Sequence, residues 1–238
     1  MTHRFFVDEE VRDEVVLHGD QARQIANVLR LVPGDQIAVV RNAVESLIVL
    51  DRVAPTEVHG RCISRRTVDE EPRDQLTLAL PILRGDRSEE VIEAVTQLGV
   101  VRIVPFVSAR SVVRSLTEAK RERWVRVARE SAETARRGRI PTIDAPRQWD
   151  ELFDVLDAPV LVPWEGEALV NLWDAVPQTR QLSLAIGPEG GLTMEEIALA
   201  RERGAITVSL GPRNLRSETA AIAAVAQTVA LLERRNAG

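Results

Sequence analysis

Leu182–Ala220 reads LSLAIGPEGGLTMEEIALARERGAITVSLGPRNLRSETA, and this stretch decides the fold. Two apolar runs, Leu182–Ile186 and Thr207–Leu210, each stop in a loop of glycine and proline and then pass into a helical pattern. Strand, loop, helix is thus written twice, as in a parallel sheet covered by helices. The loops are Gly187-Pro188-Glu189-Gly190-Gly191 and Gly211-Pro212-Arg213-Asn214-Leu215-Arg216. Glycine permits close backbone approach where a Cβ would forbid it, and proline fixes φ and removes an N–H, so such loops are stiff and expose backbone groups. Ligands of open α/β sheets sit at the carboxyl ends of the strands. If the two strands are parallel neighbours, the loops lie side by side and make a bed for a flat, polar small molecule.

Upstream the alternation continues. Strand patterns at Leu76–Ile82, Arg102–Val107 and Val160–Val162 are interleaved with helical patterns at Ser88–Leu98 and Thr117–Arg137. In the first of these helices Val91, Ile92, Val95 and Leu98 form one stripe and Gly99 supplies the stop. The polar stretch TVDEEPRDQ, Thr67–Gln75, reads as a linker, which predicts one domain over 1–70 and a second over 73–238. The first is β-rich. Val15–Leu17 is a short strand, Asp20 is placed to cap a helix carrying Ile25, Val28 and Leu29 on one face, and Pro33-Gly34-Asp35 makes a turn. The runs Gln36–Arg41, Leu47–Val53 and Glu57–Arg65 then predict a small antiparallel barrel.

The 238 residues suffice for a large core, and 45% are hydrophobic. The longest apolar stretch, Ala220–Leu232, is too short and too interrupted for a membrane span, and no signal-peptide pattern opens the chain. A single cysteine, Cys62, excludes an internal disulfide, and three scattered histidines give no metal-ligand cluster. These features fit a reduced, cytoplasmic protein without a structural metal. The net charge is -5, yet Arg110–Arg139 holds ten Arg or Lys against four Glu, a basic stripe on an acidic protein. Such a stripe suits a localised phosphate-binding face, or a solvated helix with pairs such as Glu122 to Arg126 and Glu133 to Arg137.

IGPEGG followed by LGPRNLRSETA closely resembles the paired signatures of the SPOUT methyltransferases, and specifically of the ribosomal RNA small subunit methyltransferase E family. The resemblance spans nearly the whole chain. RFF at Arg4–Phe6 and VLRLVPGD at Val28–Asp35 match the family's N-terminal PUA-like RNA-binding barrel, and Arg84-Gly85-Asp86-Arg87, Gln97-Leu98-Gly99-Val100, Ser108-Ala109-Arg110-Ser111, Glu133 with Arg137, and Arg139-Ile140-Pro141 continue it. It implies a C-terminal trefoil knot that holds S-adenosylmethionine, a homodimer, and methylation of uridine N3 in 16S rRNA of the small ribosomal subunit, near the decoding centre. A ribose 2'-O-methyltransferase of the same superfamily, or a non-catalytic RNA-binding assembly factor, is the alternative. This chain departs from the family at Glu93-Ala94, where a Gln-Lys pair is usual, at Ala109, where a Glu is usual, and at Thr134-Ala135-Arg136, where Gln, a small residue and Gly are usual.

No Rossmann fingerprint, P-loop, nucleophile elbow or Ser-His-Asp set is present. Methyl transfer from a sulfonium needs none of these; it needs a bent cofactor, an aligned nucleophile and charge stabilisation. By the resemblance, the cofactor is held around Val162, Pro163, Ile186, Gly187, Gly190, Gly191, Leu210, Gly211, Pro212, Leu215 and Ser217, with Glu165 and Thr219 as further candidates. RNA contacts fall on Arg4, Arg30, Arg84, Arg87, Arg110, Arg137 and Arg139. The catalytic candidates are Arg216 and Glu218. Uracil N3 must lose its proton, and Arg216 is always charged and can bridge a carbonyl oxygen and the deprotonated nitrogen. Glu218 lies in the first helical turn, where the dipole favours the carboxylate, so completing the helix start with a Ser217 cap competes with a role as general base. In the last helix Ile222, Val225, Val229 and Leu232 make an apolar stripe that Ala221, Ala224 and Ala226 widen, consistent with either a docked helix or a homodimer face.

Overall fold

The computed structural model describes residues 2–69 and 71–236; the expected domain limits at Met1, Glu70 and Gly238 lie outside the described residues. The chain divides into two compact units, Met1–Glu71 with Ala132–Arg139, and Pro72–Ser131 with Ile140–Gly238.

The first unit contains β1 (His3–Phe6), β2 (Glu14–His18), α1 (Gly19–Arg23), a π turn (Gln24–Val28), β3 (Gln36–Arg41), β4 (Val44–Val53) and β5 (Glu57–Thr67). The five strands form a half-barrel of order β1-β3-β4-β5-β2. The expected antiparallel pairing holds for β2 to β5, but β1 pairs parallel with β3, so the sheet is mixed. Alternation along β3 and β4 turns Ile37, Val39, Ile48 and Leu50 inward onto Phe5, Val15, Leu17, Ile25 and Val58. Register shifts between β4 and β5, at Leu47/Ile48 and Leu50/Arg52, bend the sheet around this core. Two local expectations are corrected. His18, not Asp20, takes the N-cap position of α1, with no side-chain cap. The π turn also rotates the helix face, so Ile25 is fully buried while Val28 stands 73% exposed.

The second unit contains β6 (Gln75–Pro81), α2 (Arg87–Gln97), β7 (Arg102–Val107), most of α3 (Glu118–Thr134), β8 (Thr142–Ile143), β9 (Arg147–Gln148), β10 (Val160–Pro163), α4 (Leu172–Ala175), β11 (Gln181–Ala185), α5 (Met194–Glu202), β12 (Ile206–Val208) and α6 (Ser217–Asn236). Its seven strands form a parallel sheet of order β12-β10-β11-β6-β7-β8, with β9 also on β7. One face is covered by α2, α3 and α6, which pack Val91, Ile92, Val95, Trp124, Ala128, Ala221 and Val225 onto Leu76, Leu78, Leu80 and Leu184. On the other face α5 and the segment Trp149–Leu156 cover Ala79, Val104, Phe106, Val162 and Ala185. The signature strands β11 and β12 are parallel but not neighbours, because β10 lies between them. Three carboxyl-terminal loops, rather than two, therefore converge at this edge of the sheet.

Among the described residues no helix is long and apolar enough to cross a membrane, and no group of three or more His, Cys, Asp or Glu is placed to hold a metal.

Candidate cofactor and active site

The loops after β10, β11 and β12, with the starts of α2 and α6, enclose a cavity of about 520 Å³ in the second unit. Each loop is shaped by local chemistry. After β11 the chain turns at Pro188, where Gly191 N–H donates to the Pro188 carbonyl at 2.9 Å. Gly191 has φ +71, which favours glycine, and a Cβ there would stand 2.9 Å from Glu165 Oε1. Helix α5 then begins with a capping box: Thr193 Oγ1 accepts from Glu196 N–H at 3.2 Å, and Glu196 Oε2 accepts from Thr193 N–H at 2.8 Å. The other carboxylate oxygen of Glu196 accepts from Ala109 N–H at 2.7 Å, and Arg110 donates to the Gly190 carbonyl at 3.3 Å, so the β7 loop braces the glycine loop.

The loop after β10 is held by Glu167. Its carboxylate accepts from the Thr207 hydroxyl at 2.7 Å and from Leu169 N–H at 2.9 Å, with Val170 N–H and Arg201 at 3.2 and 3.3 Å. These donors, the Thr207 hydroxyl first, hold its pKa down at about 2. Arg201 also lies over the Trp164 ring, 5.5 Å from its centroid, and that ring lines the cavity.

At the junction with α6, the Arg216 carbonyl accepts from Ala220 N–H at 2.8 Å, which makes Arg216 the N-cap residue. The expected Ser217 cap is corrected, since Ser217 is the first helical residue and is buried. Arg87 approaches two carboxylates, Glu189 at 3.9 Å and Glu218 at 3.7 Å. Glu189 Oε1 is oriented by Arg84 N–H at 3.0 Å. Among the described residues, the second oxygen of each carboxylate is buried without a hydrogen-bond donor. Buried acceptors of this kind are uncommon and mark a place where a donor belongs.

Of the residues read from the sequence, Pro163, Glu165, Ile186, Gly187, Gly190, Gly191, Leu210, Gly211, Leu215, Arg216, Ser217 and Glu218 line the cavity. Val162 is fully buried in the sheet, and Pro212 and Thr219 are exposed beside the cavity without lining it. The sequence reading missed Trp164, Glu167, Glu189 and Arg213 as lining residues and placed Arg87 only on RNA. Glu189 and Arg213 lie within the quoted loops, whereas Trp164 and Glu167 follow a strand with no glycine signal.

The arginines proposed for RNA divide by burial. Arg30, Arg84, Arg110 and Arg139 are exposed, and Arg87 is part-buried at the cavity. Arg4 and Arg137 differ from these, because both are buried in ion pairs of the first unit. Arg4 pairs with Glu45 at 2.8 Å and donates to the Arg137 carbonyl. Arg137 grips Glu71 through two nitrogens, at 3.3 and 2.9 Å, with both side chains under a tenth exposed. A guanidinium so enclosed offers no free face to a phosphate.

With this geometry in hand, the chain can be set beside known proteins. The profile described as an RNA methyltransferase domain matches residues 69–229. The Bacillus subtilis protein named Ribosomal RNA small subunit methyltransferase E is 31% identical over 220 residues, spanning 87% of this chain and 86% of its own. The crystal structure of a Ribosomal RNA small subunit methyltransferase E from Neisseria gonorrhoeae, bound to S-adenosyl methionine, superposes with a TM-score of 0.89 at 27% identity, covering 97% of this chain and 98% of that one. A putative methyltransferase from Legionella pneumophila in complex with the same cofactor gives 0.88 at 29% identity over 99% and 98% of the two chains. The chain belongs to the ribosomal RNA small subunit methyltransferase E family.

Proposed function

We propose that this protein methylates N3 of a uridine in 16S rRNA of the small ribosomal subunit, near the decoding centre, using S-adenosylmethionine and no metal. The observation that carries the reading is the convergence of three strand-end loops on one cavity whose lining is both glycine-rich and charged. The lining fits the cofactor. Gly191 leaves the space that a Cβ would take, and the unpartnered oxygens of Glu189 and Glu218 suit a ligand that carries a cationic centre and several donors.

When bound, the cofactor supplies an electrophilic methyl group on a sulfonium. The chain's own residues do the rest. The loops at Ile186–Gly191 and Ser209–Leu215 bind and orient, beside the Trp164 ring over which Arg201 lies. Arg216, exposed at the rim of the cavity, is the group that favours the N3 anion through contact with a ring carbonyl oxygen. Glu218, held near Arg87 at 3.7 Å, helps to place that guanidinium.

The wider proposal has a C-terminal SPOUT domain with a trefoil knot, a PUA-like first domain and a homodimer in the cytoplasm. The parallel order β12-β10-β11 brings three carboxyl-terminal loops to one cavity, as the SPOUT reading requires. Arg30, Arg84, Arg87, Arg110 and Arg139 make up the RNA footprint. The test is to incubate unmodified small subunits with labelled cofactor and identify the methylated nucleoside by mass spectrometry. N3-methyluridine is expected; a ribose-methylated nucleoside, or none from folded protein, overturns the proposal.

A further inference from the structure

Three helix ends in this chain share one geometry. After α2, Val100 N–H returns to the Val95 carbonyl at 3.0 Å, and the residue before it, Gly99, has φ +103. After α5, Ala205 N–H returns to Ala200 at 2.9 Å and Gly204 has φ +82. After α3, Arg137 N–H returns to Ala132 at 2.9 Å and Arg136 N–H to Glu133 at 3.3 Å, but the left-handed residue, at φ +57, is Arg136. This is the six-to-one helix stop whose low-cost occupant is glycine, because any Cβ crowds the backbone in that conformation. Two of the stops use glycine and the third uses arginine.

What Arg136 does with its side chain is the opposite of what Arg137 does. Arg137 turns inward to Glu71, and Gly138 and Arg139 N–H groups donate to the same carboxylate at 2.7 and 3.3 Å. Glu71 is thereby fully engaged. Arg136 is exposed, and among the described residues its guanidinium has no hydrogen bond or ion pair, so its charge is uncompensated. The same unit repeats the pattern at Arg30, which has φ +53 after the π turn and is likewise exposed with no partner for its side chain among the described residues. The remaining non-glycine residues with positive φ among the described residues, Asn42 and Ala43, form the two-residue hairpin between β3 and β4, where the turn requires it. Backbone strain held at exposed positions with no contact to compensate it points to use of the side chain by a ligand.

We infer that Arg136 is an RNA phosphate contact of the first unit, in the role that the family resemblance implies for its neighbour Arg137. The inference rests on the reading of the chain as an RNA-modifying protein. The test compares parent, Arg136→Gly and Arg136→Ala by filter binding to transcribed, unmodified 16S rRNA over a range of KCl, alongside thermal unfolding. Arg136→Gly is expected to melt about 2–4 °C higher, since the strain is relieved. It should nonetheless bind about tenfold more weakly at low salt, with the slope of log K against log salt reduced by about 0.7–0.9. Arg136→Ala should lose the same slope without the gain in melting temperature. An unchanged slope in both variants, or a lower melting temperature for Arg136→Gly, overturns the inference. A parent that does not bind the RNA at all overturns the functional reading beneath it.

Discussion

The pair Arg137–Glu71 offers a measurement that separates a buried strut from a surface contact. Replacing Arg137 by alanine leaves the Glu71 carboxylate inside the first unit, 9% exposed, with two backbone N–H donors and the Arg139 guanidinium at 3.5 Å among the described residues. Breaking a buried pair by removing one partner costs about 3–5 kcal/mol, most of it for the charge left behind. In a chain of this size unfolding as a whole, each kcal/mol lowers the melting temperature by about 2–4 °C, so a fall of about 6–20 °C is expected. The double variant Glu71→Ala with Arg137→Ala removes the stranded charge and should lose less than the sum of the two single losses, a coupling of about 1–3 kcal/mol. Denaturant unfolding of all four proteins closes the cycle. A loss below about 1 kcal/mol for Arg137→Ala, together with a shallower salt dependence of RNA binding, would refute this reasoning and return Arg137 to the RNA surface.

The other predictions concern the second unit. Arg216→Ala should lower single-turnover methylation by about 10²- to 10³-fold with cofactor affinity kept, and lysine should rescue it poorly; calorimetry that finds cofactor binding lost assigns Arg216 to structure instead. Gly191→Ala places a side chain at φ +71 against Glu165, so it should lose about 1–2 kcal/mol of stability and weaken cofactor binding, both readable in one thermal-shift titration. The folded pKa of Glu167 is about 2 against an ordinary 4.5, so its stabilising contribution is complete above about pH 4.5 and drains away as the pH falls towards 2. Glu167→Gln should accordingly flatten the pH dependence of stability in that window, and a parent and variant whose acid-unfolding curves run parallel would remove Glu167 from this role.

The sequence exposed most of the second unit because its elements are long and strictly periodic. Leu76–Ile82 and Ser88–Leu98 each fall one residue from the limits of β6 and α2. What periodicity does not carry is order across the sheet, so nothing local told that β10 separates β11 from β12. Pro163 and Glu165 of the loop after β10 were named only through the resemblance, and Trp164 and Glu167 beside them were missed, because that loop reaches the cavity through sheet order and not through a motif of its own. The arginines were the least legible. Arg136 and Arg137 are identical letters side by side, and only the handedness of one backbone residue decides which of them turns out. Val28 repeats the lesson, since a single π turn moved it from the expected core face to solvent.

The contribution of residues 132–139 to the first unit also bears on how the chain emerges from the ribosome. Gly138 follows its partner Glu71 by 67 residues. At about 5–20 residues per second the second half of that cluster arrives about 3–13 s after the first. Through that interval Arg4 lacks the carbonyl it bonds, Glu71 lacks its guanidinium, and the tip of the β3–β4 hairpin lacks Gly138, whose Cα hydrogens pack where a Cβ would come within 3.1 Å of Ala43 and Val68. The half-barrel is therefore made first but fastened late, and a fragment ending at the linker is a nascent chain arrested at the unfastened stage.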